Sequence, residues 1–97
     1  MYQATTPTYT INCGSTSPDL RTLGTCIVSI RQGSLALDIT PTVNEHTVVF
    51  CLTQAQTVKF KPCGATAQAN FIGQDGSRVC TNILTINVFE NLKNEVL

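Results

Sequence analysis

The sequence predicts an all-β chain folded as one small antiparallel β-sandwich, and three observations predict it. First, Thr, Val and Ile supply 30 of 97 residues against six Ala and one Met, and β-branched side chains fit a pleated surface better than a helix. Second, several short stretches alternate apolar with polar residues, the period of a strand with one buried face. Third, Gly, Pro and Asn/Asp clusters punctuate those stretches at the spacing of hairpins and short connections.

Tyr9 to Asn12 reads as a leading strand. Thr25 to Arg31 then alternates with Cys26, Val28 and Ile30 inward, and Ser34 to Ile39 does the same with Leu35, Leu37 and Ile39. Gln32-Gly33 between them reads as a two-residue hairpin turn. A second hairpin is expected from Thr47 to Thr53 and Thr57 to Lys61 around Gln54-Ala55-Gln56, with Val58 and Phe60 inward and Lys59 and Lys61 outward. The third takes Ala69 to Gly73, a turn at Asp75-Gly76, and a run from Arg78 to Phe89 that bends or bulges near Asn82, where the apolar parity changes. The total is about seven strands, as in an immunoglobulin-like or jelly-roll-like sandwich. Phe89, Leu92 and Val96 recur at helical spacing, so a short C-terminal helical turn is expected, docked on a surface because it is too short to stand alone. The organisation is therefore a single domain over residues 1–97, with an N-terminal arm at 1–8 and a C-terminal extension at 90–97.

Charge is scarce. Only 12% of residues are Asp, Glu, Lys or Arg, balanced to zero, where an ordinary domain carries about 25%. Thr, Ser, Asn and Gln supply 33 residues instead, so the polar surface is largely uncharged. A neutral chain with no basic cluster is not built to hold nucleic acid through its phosphates, and Lys59 and Lys61 read as a solvated strand face. No run approaches the 18 or so apolar residues of a membrane span. Residues 2–10 are polar and lack Lys and Arg, so they do not read as a signal peptide.

Chemistry has little to work with. His46 is the only histidine, so any Ser/His/Asp or Cys/His arrangement must pass through it, and it reads as a surface loop residue. Cys51 lies five residues away, roughly 16 Å along an extended strand, too far for a direct hydrogen bond. The cysteine separations of 13, 25, 12 and 17 contain no closely spaced pair of the kind that holds zinc. No cofactor, no metal, no small-molecule substrate and no enzymatic activity are expected.

Five cysteines in a small β chain suggest disulfides. Cys26 shares the inward parity of Val28 and Ile30, and Cys80 starts the last long strand, so a Cys26 to Cys80 bridge across the sandwich is natural and would contribute about 4 kcal/mol. Cys13 and Cys63, each beside a glycine at a strand end, could form a second bridge at one edge. In the Cys26 to Cys80 spacing the layout resembles an immunoglobulin-like domain, although the chain has no Trp and carries Arg78 where that family's corner Tyr would sit.

Two features point toward partners. Val48, Phe50 and Leu52 fill one face of their strand while Val49 and Cys51 make the other apolar as well, and Ile27 and Phe89 project opposite to the core parity of their own strands. A chain with so few charges also has little electrostatic repulsion between copies. Ile27, Val49, Cys51, Phe89, Leu92 and Val96 are thus the expected interaction face of a non-enzymatic assembly module, such as a small subunit or decoration protein of a viral particle or surface filament. The alternative is a secreted, disulfide-bonded immunoglobulin-like module that binds a host or cell-surface protein.

Overall fold

A computed structural model describes all residues 1–97. Its strands are β1 (Thr8–Asn12), β2 (Thr25–Gln32), β3 (Leu35–Ile39), β4 (Thr42–Val43), β5 (Thr47–Cys51), β6 (Gly64–Ile72), β7 (Arg78–Cys80) and β8 (Leu84–Asn87), with a 3-10 turn at Leu20–Thr22 and one helical turn, α1 (Gln54–Thr57). They form two antiparallel sheets. The first has the order β1-β5-β4, and the second the order β3-β2-β6 with β7 and β8 end to end along the far edge of β6. The chain crosses between sheets three times, after β1, β3 and β5, and the two sheets enclose one core as a small β-sandwich.

Alternation sets which side chains line that core. On β2, Cys26, Val28 and Ile30 are buried, and each faces a buried partner on β6, namely Phe71, Ala69 and Ala67. The row Ala65, Ala67 and Ala69 occupies little volume, and the core's bulk comes from Phe50, Phe60, Phe71, Ile30 and Leu52. Close packing of large against small side chains is what gives a thin sandwich interior its density.

Three local expectations need correction. The first hairpin turns at Gly33-Ser34, since Gln32 pairs with Leu35; Gly33 takes φ +56, the left-handed conformation that a tight hairpin demands. The second hairpin does not form. Thr53 instead caps α1, its hydroxyl accepting from the Gln56 amide while the Gln56 side chain accepts from the Thr53 amide. That reciprocal pair is the Thr-x-x-Gln capping box, a helix-start signal present in the sequence. The segment after α1 carries the chain across to the second sheet, with Phe60 still buried and Lys59 and Lys61 still exposed. The partner of β6 in that region is β8, and the apolar run from Arg78 breaks at residues 81–83 so that β7 and β8 pair successive halves of β6. This is the bend near Asn82 that the change of parity predicts. At the C-terminus no helical turn forms; Leu92, Val96 and Leu97 are exposed and bury no common apolar face, and the segment is held instead by the Leu97 amide donating to Gln54 Oε1 at 2.8 Å.

The N-terminal arm is tied down. Met1 and Gln3 run parallel to the segment after β8, with the Phe89 amide donating to Met1 O at 2.7 Å and the Gln3 amide to Phe89 O at 3.1 Å. Gln3 is buried, its Nε2 donating to Phe60 O at 2.6 Å and its main-chain oxygen accepting from Asn91 Nδ2 at 2.9 Å. Replacing it by Ala strands the Phe60 carbonyl without a donor. Gln3→Ala should cost about 1–3 kcal/mol, read as a lowered urea midpoint at unchanged slope.

Candidate interaction surface

Val79 faces Phe71 across β7 and β6, which should place it inward, yet it is half exposed because no strand lies beyond β7 to cover it. Ile83, in the break between β7 and β8, is more exposed still, and Phe89 follows at the end of β8 with its ring 5.5 Å from that of Tyr2. These side chains lie along one edge of the second sheet. Thr81 donates its amide to Ala69 O, so by strand alternation the amides of Arg78 and Cys80 point off that edge. An unpaired edge flanked by apolar side chains is a template for another strand.

The six residues expected to form one face are not brought together. Ile27 lies on the outer face of the second sheet, opposite Asn70. Val49 and Cys51 lie on the outer face of the first, between β1 and β4, with the Cys51 thiol 3.2 Å from the Thr8 hydroxyl. These two faces look away from each other. Val49 and Ile27 are half-buried by their neighbours, Leu92 is almost fully exposed, and Phe89 alone belongs to the β7–β8 edge. Tyr2, Val79 and Ile83 escape a reading by parity. Their exposure depends on which strand ends the sheet, and the only local hint is how short the run is before the break at 81–83.

A groove of about 260 Å³ crosses the outer face of the second sheet, lined by Ser29, Arg31, Gln68, Asn70, Arg78 and Ile83 among others. Its polar side chains are occupied by one another and by their neighbours. Arg31 Nη1 donates to Leu37 O at 3.2 Å and approaches Asp38 at 3.4 Å, and Arg78 Nε donates to Asn70 Oδ1 at 3.1 Å. The Ser29 hydroxyl, and secondarily Arg31, hold the Asp38 carboxyl below its usual range. The groove reads as a self-satisfied sheet face.

His46 is less isolated than expected. Its Nδ1 lies 2.7 Å from the Ser17 hydroxyl and its Nε2 3.5 Å from the Glu45 carboxylate. A serine, a histidine and an acid therefore meet, but the two main-chain positions beside the hydroxyl offer no free N–H. The Ser17 amide already donates to Gly14 O and Pro18 has no N–H. The contact ties the loop after β1 to the turn before β5, alongside the Cys13 amide bonded to His46 O at 2.9 Å. Next to it, Asp19 grips Arg21 through two oxygens, and that side-chain hydrogen bond brings the Asp19 carboxyl down to about 2. No three His, Cys, Asp or Glu side chains converge anywhere in the fold, and no helix is long and apolar enough to cross a membrane.

All five cysteines are free thiols. Cys26 and Cys80 lie in the same sheet with β6 between them, about 9.5 Å apart by strand spacing, where a disulfide needs under about 7 Å between Cα atoms. They also face opposite ways. Cys26 pairs with Phe71 on the core side, and Cys80 pairs with Asn70 on the outer side. The bridge on which the immunoglobulin likeness rests is therefore excluded by topology. Cys13 and Cys63 sit at opposite ends of the sandwich. Cys13 lines a cleft of about 300 Å³ beside Phe71, whereas Cys63 precedes Gly64 at the other end of β6, about 26 Å away for eight extended residues.

No protein-family model, no curated protein and no solved structure matches the chain.

Proposed function

We propose that the protein is a non-enzymatic structural module that assembles through the β7–β8 edge, as a subunit or decoration protein of a viral particle or an extracellular filament would. One observation carries this reading: Val79, Ile83 and Phe89, whose ring is tilted against that of Tyr2, stand exposed along a sheet edge that no strand covers beside β7 and that only the arm residues Met1 to Gln3 meet, beyond β8. Native sheets usually blunt such edges with charge, proline or a covering element. Arg78 is the sole charged residue of β7, and β8 has none.

Shape and charge support the same reading. The radius of gyration is 14.3 Å, where a compact chain of this length would have about 12.5 Å. The elongated form, 45 Å along its longest axis, leaves long flanks available for lateral contact. The net charge of zero puts no long-range barrier between copies.

Sedimentation equilibrium with and without Val79→Lys tests the proposal. The native chain is expected to associate at tens of micromolar or below, and the lysine, whose charge would be buried in a continuous sheet, to weaken association at least about tenfold, or 1.4 kcal/mol, with the fold intact by circular dichroism. A native chain that stays monomeric at millimolar concentration, or a lysine variant that associates unchanged, would rule this edge out.

A further inference from the structure

We propose that Cys13 and Cys26 form a disulfide across the two sheets when the protein meets a low-molecular-weight disulfide, a linkage independent of how the protein assembles. Side-chain parity points both thiols inward from opposing sheets. Tyr9 and Ile11 face the core from β1, and Cys13 continues that face and packs against the core; Cys26 is buried on the inner face of β2.

They also meet at the same end of the sandwich. Cys13, Leu23 and Phe71 line one cleft, and Phe71 is the cross-strand partner of Cys26, which places the Phe71 and Cys26 Cβ atoms about 5 Å apart. Burial, and secondarily the neighbouring Cys13, push the Cys26 thiol up to about 11. Sheets in a sandwich pack about 10 Å apart, and a disulfide needs its Cα atoms within about 7 Å, so the sheets must pinch together here. The cleft of about 300 Å³ beside Cys13 supplies the room. Cys51, Cys63 and Cys80 are exposed.

The chemistry is thiol–disulfide exchange. Cys13, the more accessible of the pair, attacks one sulfur of the small disulfide as its thiolate and releases one small thiol. Cys26 then gives its proton to water and attacks the Cys13 sulfur, and the second small thiol leaves. Two protein thiols are oxidised and one small disulfide is reduced to two thiols. Cys26 is the slower partner, since its thiolate is disfavoured by burial.

The test uses the full chain, both native and with Cys51→Ser, Cys63→Ser and Cys80→Ser at the exposed positions, incubated with oxidised glutathione, denatured, alkylated and cleaved by trypsin. Arg21 and Arg31 separate the two cysteines into different peptides, so the bridge appears as residues 1–21 linked to residues 22–31. The expected result is that linkage in both proteins, and in the triple variant a thermal midpoint raised by more than about 10 °C and restored by dithiothreitol. Glutathione retained on Cys13 with Cys26 recovered as an alkylated thiol, both thiols recovered free, or Cys26 linked to any other cysteine in the native chain would overturn the proposal.

Discussion

Gly24→Ala is expected to cost about 4 kcal/mol or more, a large fraction of the stability of a domain of this size. Gly24 holds φ +108, and a Cβ placed there would stand 2.2 Å from Ile72 O, 2.8 Å from Ile72 C and 2.9 Å from Gly73 Cα. All three are backbone atoms, so no side-chain rotation relieves the clash. The chain enters β2 here, directly against the end of β6, where Thr25 pairs with Ile72. Relief would require separating the two longest strands of the sheet. Gly33→Ala is the control. It too has positive φ, but open space surrounds it, so only the conformational strain of roughly 1 kcal/mol should appear. Urea denaturation of the two variants should separate them clearly; equal costs would mean that β2 and β6 do not approach as closely as described.

Phe50→Ala should cost about 3–5 kcal/mol, and Phe89→Ala less than about 1 kcal/mol. Phe50 is 2% exposed and its ring stacks 5.6 Å from that of Tyr9, whereas Phe89 is 52% exposed. Losing the Phe50 ring removes both its transfer free energy and the contacts that attach the three-stranded sheet to the rest of the core. Ile11, Val48 and the adjoining Leu52 are buried beside it, and Phe50 is the bulkiest of the four. Phe89 borders the proposed interface, so its truncation should weaken association while leaving the urea midpoint of dilute protein nearly unchanged. A large loss of stability in Phe89→Ala would place that ring in the core.

Periodicity made much of this fold readable. The inward parities of β2, of Val48, Phe50 and Leu52, and the break near Asn82 follow from alternation, a local property with period two. Sheet membership is different in kind. Whether Cys80 faces Cys26 or turns away depends on β6 lying between β2 and β7, a long-range fact that the spacing along the chain does not carry. At residues 54–56 local chemistry overrides the strand pattern, for Thr53 and Gln56 spell a helix cap. The surface was harder to read than the core. Val79 has core parity and is exposed nonetheless, while Ile27 and Val49 have outward parity and are half covered, because exposure depends on neighbouring strands that the residues themselves do not specify. The contact between Ser17 and His46 spans 29 positions in the chain and leaves no spacing signal.

Amide hydrogen exchange as a function of protein concentration tests most directly whether the β7–β8 edge joins one molecule to another. At low concentration the outward amides of Arg78 and Cys80 should exchange nearly as fast as open backbone, while those of Val28 and Ile30 in the middle of β2 stay protected. As association proceeds, protection should appear at Arg78 and Cys80 first and extend toward Ile83. Assemblies that form with these amides still exchanging freely, or with new protection confined to the β3 edge at Leu35–Ile39, would contradict the account.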